Sequence, residues 1–349
     1  MRARQDRGIR PTRLAPLAIA VALVGLVAVV SVSMLLGAAN LGWTRVAQEV
    51  WAQLTGGRSP LSATEAAIVW DVRLPRIVLA GLVGAALAMA GAAFQGVFRN
   101  PLADPFLLGA AAGAGMAATI VVVAAPQVTG WVIGPLPLAA FAGAIGGVGL
   151  TWLLGRSAGG GTAVLLLAGV AVASFLTAIQ TFVQQLNTDT IKQVYSWMLG
   201  GLNTTGWREI LVTVPYIALA GVVLCLCGRL LDVLAVGDDE AASLGVRPGR
   251  VRVVVLLAAS LATAAAVSVS GLIGFVGIVV PHVVRLLAGA SYRVVIPLSL
   301  AGGAVFLIVA DHIARTAFAP AELPIGVITA FTGAPFFLLV LRMNRQEVR

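Results

Sequence analysis

Arg73 and Arg76 stand three residues apart in "DVRLPR" (71–76), directly before a long apolar run. At that spacing two guanidinium groups share one side of a helix start. There they can snorkel at a bilayer edge or serve as a latch for something outside it. A second polar set recurs in "LLLAGVAVASFLTAIQTFVQQL" (165–186), where Ser174, Thr177, Thr181 and Gln184 follow steps of three, four and three, with Gln180 alongside. That period puts them on one helical face. Interhelical hydrogen bonding worth ~0.6–2 kcal/mol would account for the Ser and Thr, but two glutamines favour a watery translocation path. A third set is "VLAVGDDEAASLGVRPGRVR" (233–252). Its Asp238, Asp239 and Glu240 suit the positive end of a short helix, Ala241 and Ala242 extend it, and Gly245 stops it. One or two turns with a small, smooth face result, either a solvated loop or a knob for a groove on a partner.

Other chemistries are missing. Lys192 is the sole lysine and follows Ile191, so no "GK[ST]" phosphate-binding loop exists and the chain does not bind ATP that way. Asp71, Asp104, Asp189 and Asp311 all fall near the ends of apolar runs, whereas proton- or voltage-coupled machines place ionisable groups in mid-membrane. An ion-coupled secondary transporter is weakened, although sodium sites built from carbonyls escape this test. Cys225 and Cys227 point about 200° apart on a helix and read as small buried hydrophobes. With two histidines and no His/Cys/Glu cluster, the chain reads as neither an enzyme nor a metal protein.

These sets must be positioned by membrane helices. The chain is 59% hydrophobic and 11% charged, with a mean hydropathy of +0.99, far from soluble averages. Its basic residues are scattered between apolar runs rather than forming a nucleic-acid stripe. Runs long enough to cross a bilayer lie near 14–37, 74–97, 105–126, 131–154, 162–186, 209–230, 251–269, 271–288, 294–314 and 323–342. The first is too long for a signal core and reads as an uncleaved helix. The seventh and eighth are nearly fused, parted only by "SVSGLIG" (268–274). Ten spans put both termini on one side, and sixteen of the 23 basic residues fall there. By the positive-inside rule that side is the cytoplasm, and "DVRLPR" is external. The expected fold is an all-α polytopic membrane protein of ten helices. A leader (1–13) and a tail (343–349) flank one transmembrane domain (14–342), which includes a cytoplasmic loop at 231–250. Small residues mark close helix approach: Gly84, Ala88 and Gly91 on one face, Gly109 and Gly113 as GxxxG, and Gly271, Gly274 and Gly277 at threes.

Four stretches in order carry a resemblance: "RLPRIVLAGLVGAALAMAGAAFQGVFRNPLADPFLLG", "GDDEAASLGV", "GLIGFVGIVVPHVVRLL" and "ELPIGVITAFTGAPFF". From about Arg73 to Arg342 the chain resembles the permease subunits of type II ABC importers for iron–siderophores, haem and vitamin B12. The resemblance implies a homodimeric pore in the bacterial inner membrane, two cytoplasmic ATPase subunits that hold ATP and Mg, and a periplasmic binding protein. No cofactor is expected on this chain. The resemblance also implies that Arg73, Arg76 and Arg315 grip glutamates of the binding protein. It makes Ala241, Ala242, Ser243, Leu244 and Gly245 the helix that docks the ATPase. Asn100, Leu102, Gly161 and Thr162 become the cytoplasmic gate, where Pro101 and Pro105 would fix the loop.

The cargo is a bulky chelate by resemblance alone. An apolar cavity suits haem, and His312 near the outer end of the ninth span could ligate iron transiently, although a lone histidine is more often a satisfied interfacial residue. Haem is favoured over ferric siderophore, with cobalamin third. His282 in "VPHVVR" is expected to pack near the gate.

Overall fold

A computed structural model describes residues 14–37, 39–124, 134–202 and 206–347. The leader and most of the joint between the third and fourth expected spans lie outside the described residues. Within them the chain is helical, without strands: α1 Pro16–Leu35, α2 Trp43–Thr55, α3 Ala63–Ala67, α4 Leu74–Phe98, α5 Ala110–Ala124, α6 Pro135–Ser157, α7 Thr162–Leu186, α8 Ile191–Met198, α9 Arg208–Val236, α10 Asp238–Ser243, α11 Pro248–Ser270, α12 Val276–Ala288, α13 Tyr292–Thr316 and α14 Ile325–Glu347. A π-helical stretch, Ile68–Arg73, fuses α3 to α4.

Each expected span has a helix at its position. Among the described residues seven are long and apolar enough to cross a membrane: α1, the fused unit 63–98, α6, α7, α9, α11 and α13. The other three expected spans correspond to the shorter apolar helices α5, α12 and the 325–340 part of α14. The near-fused seventh and eighth spans separate at 271–275, where Gly271 (φ 65°) and Phe275 (φ 69°) take left-handed backbone conformations and end the helical ladder.

The most buried element is α4. From Val83 to Phe98 every residue is buried, because α9, α11, α12 and α13 all pack around it. Close approach depends on missing side chains. A Cβ on Gly84 would collide with the Gly303 carbonyl, and one on Gly91 with Gly277. Gly274, expected to pack in the same way, has nothing within 4 Å of its would-be Cβ. It belongs to the break between α11 and α12 instead.

The periphery contrasts with this core. Only 11% of the apolar window of α1 and 17% of that of α7 is buried. On α7, Leu167, Val170, Phe175 and Phe182 are exposed, as are Phe331 and Leu338 on α14. Large apolar faces left open on apolar helices meet lipid or another protein, not water.

Candidate functional site

Polar side chains gather at the two ends of α4. At its beginning, two of the three arginines expected to form an external latch, Arg76 and Arg315, meet at Asp311, while Arg73 turns to the end of α1. Asp311, 1% exposed, accepts from Arg76 Nε at 3.0 Å and from Arg315 Nε at 2.9 Å. Arg76 also forks onto Glu322, donating from Nη1 at 3.2 Å and Nη2 at 2.9 Å. A buried carboxylate needs such partners, and bidentate guanidinium–carboxylate pairs are the strong form.

The expectation of a freely presented latch needs correction. Arg73 and Arg315 are buried, and both hold the end of α1. Arg73 donates to the Met34 carbonyl at 2.6 Å and the Ala39 carbonyl at 3.0 Å. Arg315 reaches Ser33 Oγ at 3.0 Å. The physical reason is that the last carbonyls of a helix lack intrahelical donors and lie at its negative end. Arg73 and Arg76 therefore diverge, one toward α1 and one toward α13 and Glu322. Only Arg76 leads toward the surface, through the half-exposed Glu322. His312 neighbours Asp311 on α13, and its Nδ1 is buried with no hydrogen-bond partner among the described residues.

At the other end, α4 stops at Arg99, whose backbone is left-handed (φ 49°). That conformation costs an L-residue roughly 1–2 kcal/mol. Arg99 Nε donates to the Leu234 carbonyl at the end of α9, 2.7 Å away, and Nη2 pairs with Asp238 at the start of α10. Arg252 of α11 bonds the same Asp238 oxygen at 2.7 Å. The Arg252 hydrogen bond, with both cationic charges, holds the Asp238 carboxyl below its usual range. Gln95, one turn earlier, donates to the Gly277 carbonyl at 2.9 Å and accepts from Arg285 Nη1 at 2.6 Å, which ties α4 to α12.

The loop after Arg99 carries two of the expected gate residues. Asn100 Oδ1 accepts from the Leu102 amide at 2.9 Å, and Asp104 Oδ1 from the Phe106 amide at 2.8 Å, so side-chain turns shape the loop. Burial pushes the Asp104 carboxyl up to about 6 against the opposing effect of that amide. Leu102 is 40% exposed. Gly161 caps α7 and Thr162 opens it, with nothing within 4 Å of a Gly161 Cβ. The loop meets α7 further along, through the 3₁₀ turn Pro105–Leu108, where the Leu107 carbonyl lies against Gly169.

The short helix expected at 237–245 is present as α10, with Gly245 (φ 79°) behind it. Ala242, Ser243, Leu244 and Gly245 are exposed, Leu244 at 70%. Ala241 is fully buried and leaves the expected docking face. The α7 stripe also splits. Ser174, Thr177 and Thr181 are exposed and Gln184 is half-buried. Gln180 is buried and turns inward, its Nε2 donating to Met198 Sδ at 2.9 Å. His282 packs edge-on against Phe336 of α14, ring centroids 5.7 Å apart.

A bundle of apolar helices with charge networks at its ends and an exposed Ser/Thr stripe has the build of a multi-pass membrane permease. The chain belongs to the FecCD transport family, whose family model matches residues 23–343. It is similar to the uncharacterized ABC transporter permease protein YvrB of Bacillus subtilis, 42% identical over 78% of each chain. The cobalamin import system permease protein BtuC of Halobacterium salinarum is 42% identical over 82% of this chain and 76% of its own. The hemin transport system permease protein HmuU of Yersinia pestis is 38% identical over 80% and 85%. Among solved structures, a metal-chelate type ABC transporter in an inward-facing conformation superposes with a TM-score of 0.80 at 26% identity, covering 94% of this chain and all of its own. The chain is thus a permease subunit of the ABC importer kind, not an enzyme, and ATP hydrolysis falls to separate ATPase subunits.

Proposed function

We propose that two copies of this chain form the pore of an importer in the bacterial plasma membrane, each crossing ten times with both termini in the cytoplasm. The observation that carries this reading is the α7 face, which sets exposed Ser174, Thr177 and Thr181 among exposed Leu and Phe. Hydroxyls facing hydrocarbon gain nothing, whereas a second copy placed across that face encloses a polar path. Asn100, Leu102, Gly161 and Thr162 would close the path on the cytoplasmic side.

A periplasmic binding protein docks at the α4 entry, where its carboxylates compete with Glu322 for Arg76 while Arg73 and Arg315 brace the rim. The exposed face of α10, Ala242 to Gly245, enters a groove on the ATPase, with Ala241 as its anchor. This chain itself holds no cofactor; ATP and Mg belong to the ATPase subunits.

The cargo is a bulky tetrapyrrole-type metal chelate, a class that covers the haemin and cobalamin named for two relatives. Haem remains the first reading, ahead of ferric siderophore. The deciding experiment reconstitutes the permease with an ATPase and a binding protein in liposomes and offers haemin, cobalamin and a ferric siderophore side by side. ATP-dependent uptake of a tetrapyrrole, requiring all three components, is expected. Uptake by the lone permease on an ion gradient would make it a secondary transporter and overturn the reading.

A further inference from the structure

We propose that Arg99 is a positioning residue that transmits movement of α10 to the gate loop, through the ion pair it makes with Asp238. This rests on the reading of α10 as the ATPase-docking helix and adds the route by which docking is felt inside the membrane domain.

The route is continuous in the structure. Asp238 is the first residue of α10 and pairs with Arg99, the last residue before Asn100. The Asn100 amide in turn donates to the Gln95 carbonyl at 3.2 Å, and the Ala103 amide to the Asn100 carbonyl at 3.1 Å. Displacement of Arg99 therefore displaces the loop that contains Leu102. From there the 3₁₀ turn reaches α6, where Thr151 Oγ1 donates to the Leu108 carbonyl at 2.9 Å, and α7, where the Leu107 carbonyl rests on Gly169. The helix that touches the ATPase is thereby linked to the helix that carries the exposed hydroxyl stripe.

Two features argue for a relay over a simple staple. The Arg99 and Asp238 side chains are 37% and 44% exposed, and ion pairs that open to solvent contribute little to stability. Moreover, Arg99 adopts a left-handed backbone that L-residues avoid, and this sends its guanidinium toward both Leu234 and Asp238. A residue chosen for the turn alone would be glycine.

Arg252 makes the test clean. It also bonds Asp238, so α10 keeps one anchor to the bundle when Arg99 is changed. The assembled transporter, permease with ATPase and binding protein in liposomes, carries a spin label at Leu102→Cys in a C225S/C227A background. The label's displacement on trapping ATP with vanadate is read and normalised to the ATPase retained. R99Q and D238N are each expected to shrink that displacement at least fivefold, and the double variant to match the worse single one. Full displacement in R99Q, or effects that multiply in the double variant, would overturn the relay. L244R separates the two levels. If L244R keeps the ATPase bound and the label moving, the reading of α10 itself fails. If L244R stops the label while R99Q does not, the relay alone fails.

Discussion

Asp311 and Asp238 each hold two arginines, at opposite ends of α4, in opposite surroundings. Asp311 is 1% exposed and gives one oxygen to each arginine. Asp238 is 44% exposed and gives a single oxygen to both. The same ions do different work because water screens one set and not the other. The Asp311 network is structural: it fastens α1 to α13 and α4, and it cannot lose its carboxylate without stranding the buried Arg315. Its counterpart at Asp238 is cheap to open, as the relay proposed through Arg99 requires.

Asp311→Ala breaks this contrast most severely. The buried Arg315 loses its carboxylate and Arg76 keeps only Glu322, a loss of about 3–5 kcal/mol, whereas Asp238→Ala should cost only about 1 kcal/mol or less. Thermal melting of the purified permease compares them, and equal melting points would erase the distinction. Next comes Arg73→Gln, which removes donors from the Met34 carbonyl in the last turn of α1 and the Ala39 carbonyl beyond it and should cost about 1–3 kcal/mol. Faster amide hydrogen exchange confined to the second half of α1 is its signature. Arg76→Gln, at the latch arginine whose second partner Glu322 is exposed, leaves Arg315 on Asp311 and should change melting less. It should nevertheless lower binding-protein stimulation of ATP hydrolysis at least tenfold; unaltered stimulation removes Arg76 from the docking surface.

The smallest effect is expected at Asp104. Its folded-state value of about 6 lies above the ordinary 3.8, so between those values the folded chain binds more protons than the unfolded one. Stability is therefore full below about pH 4 and falls as pH rises toward 6. Asp104→Asn keeps an oxygen for the Phe106 amide and should abolish that slope, bringing the melting point at pH 7 toward its value at pH 4. A melting curve that still drops from pH 4 to 6 in the Asn variant would assign the slope elsewhere.

The positions of the membrane helices were legible because hydropathy is a local property of the chain, and even the break at 271–275 was marked by its glycines. The turn of α10 was legible for the same reason, from three acids, two alanines and Gly245. What stayed hidden depends on distant partners. Arg76 and Asp311 are 235 residues apart, and nothing at Arg73 announces the carbonyls of Met34 and Ala39. The stripe on α7 was right in period, yet Gln180 sits at the edge of that face, where packing against Met198 draws it inward. Likewise Ala241 and Leu244 lie three apart, but one anchors α10 and the other projects. Only the i,i+4 pair Asp311–Arg315 offered a local hint of the buried network.

Where α4 crosses α13 and α12, glycine lies against glycine at Gly84–Gly303 and Gly91–Gly277. Such seams have no side chains to swing aside, so there is no soft layer to absorb a push. On the proposed relay, a displacement at Arg99 is then expected to carry along α4 toward Arg76 at its other end.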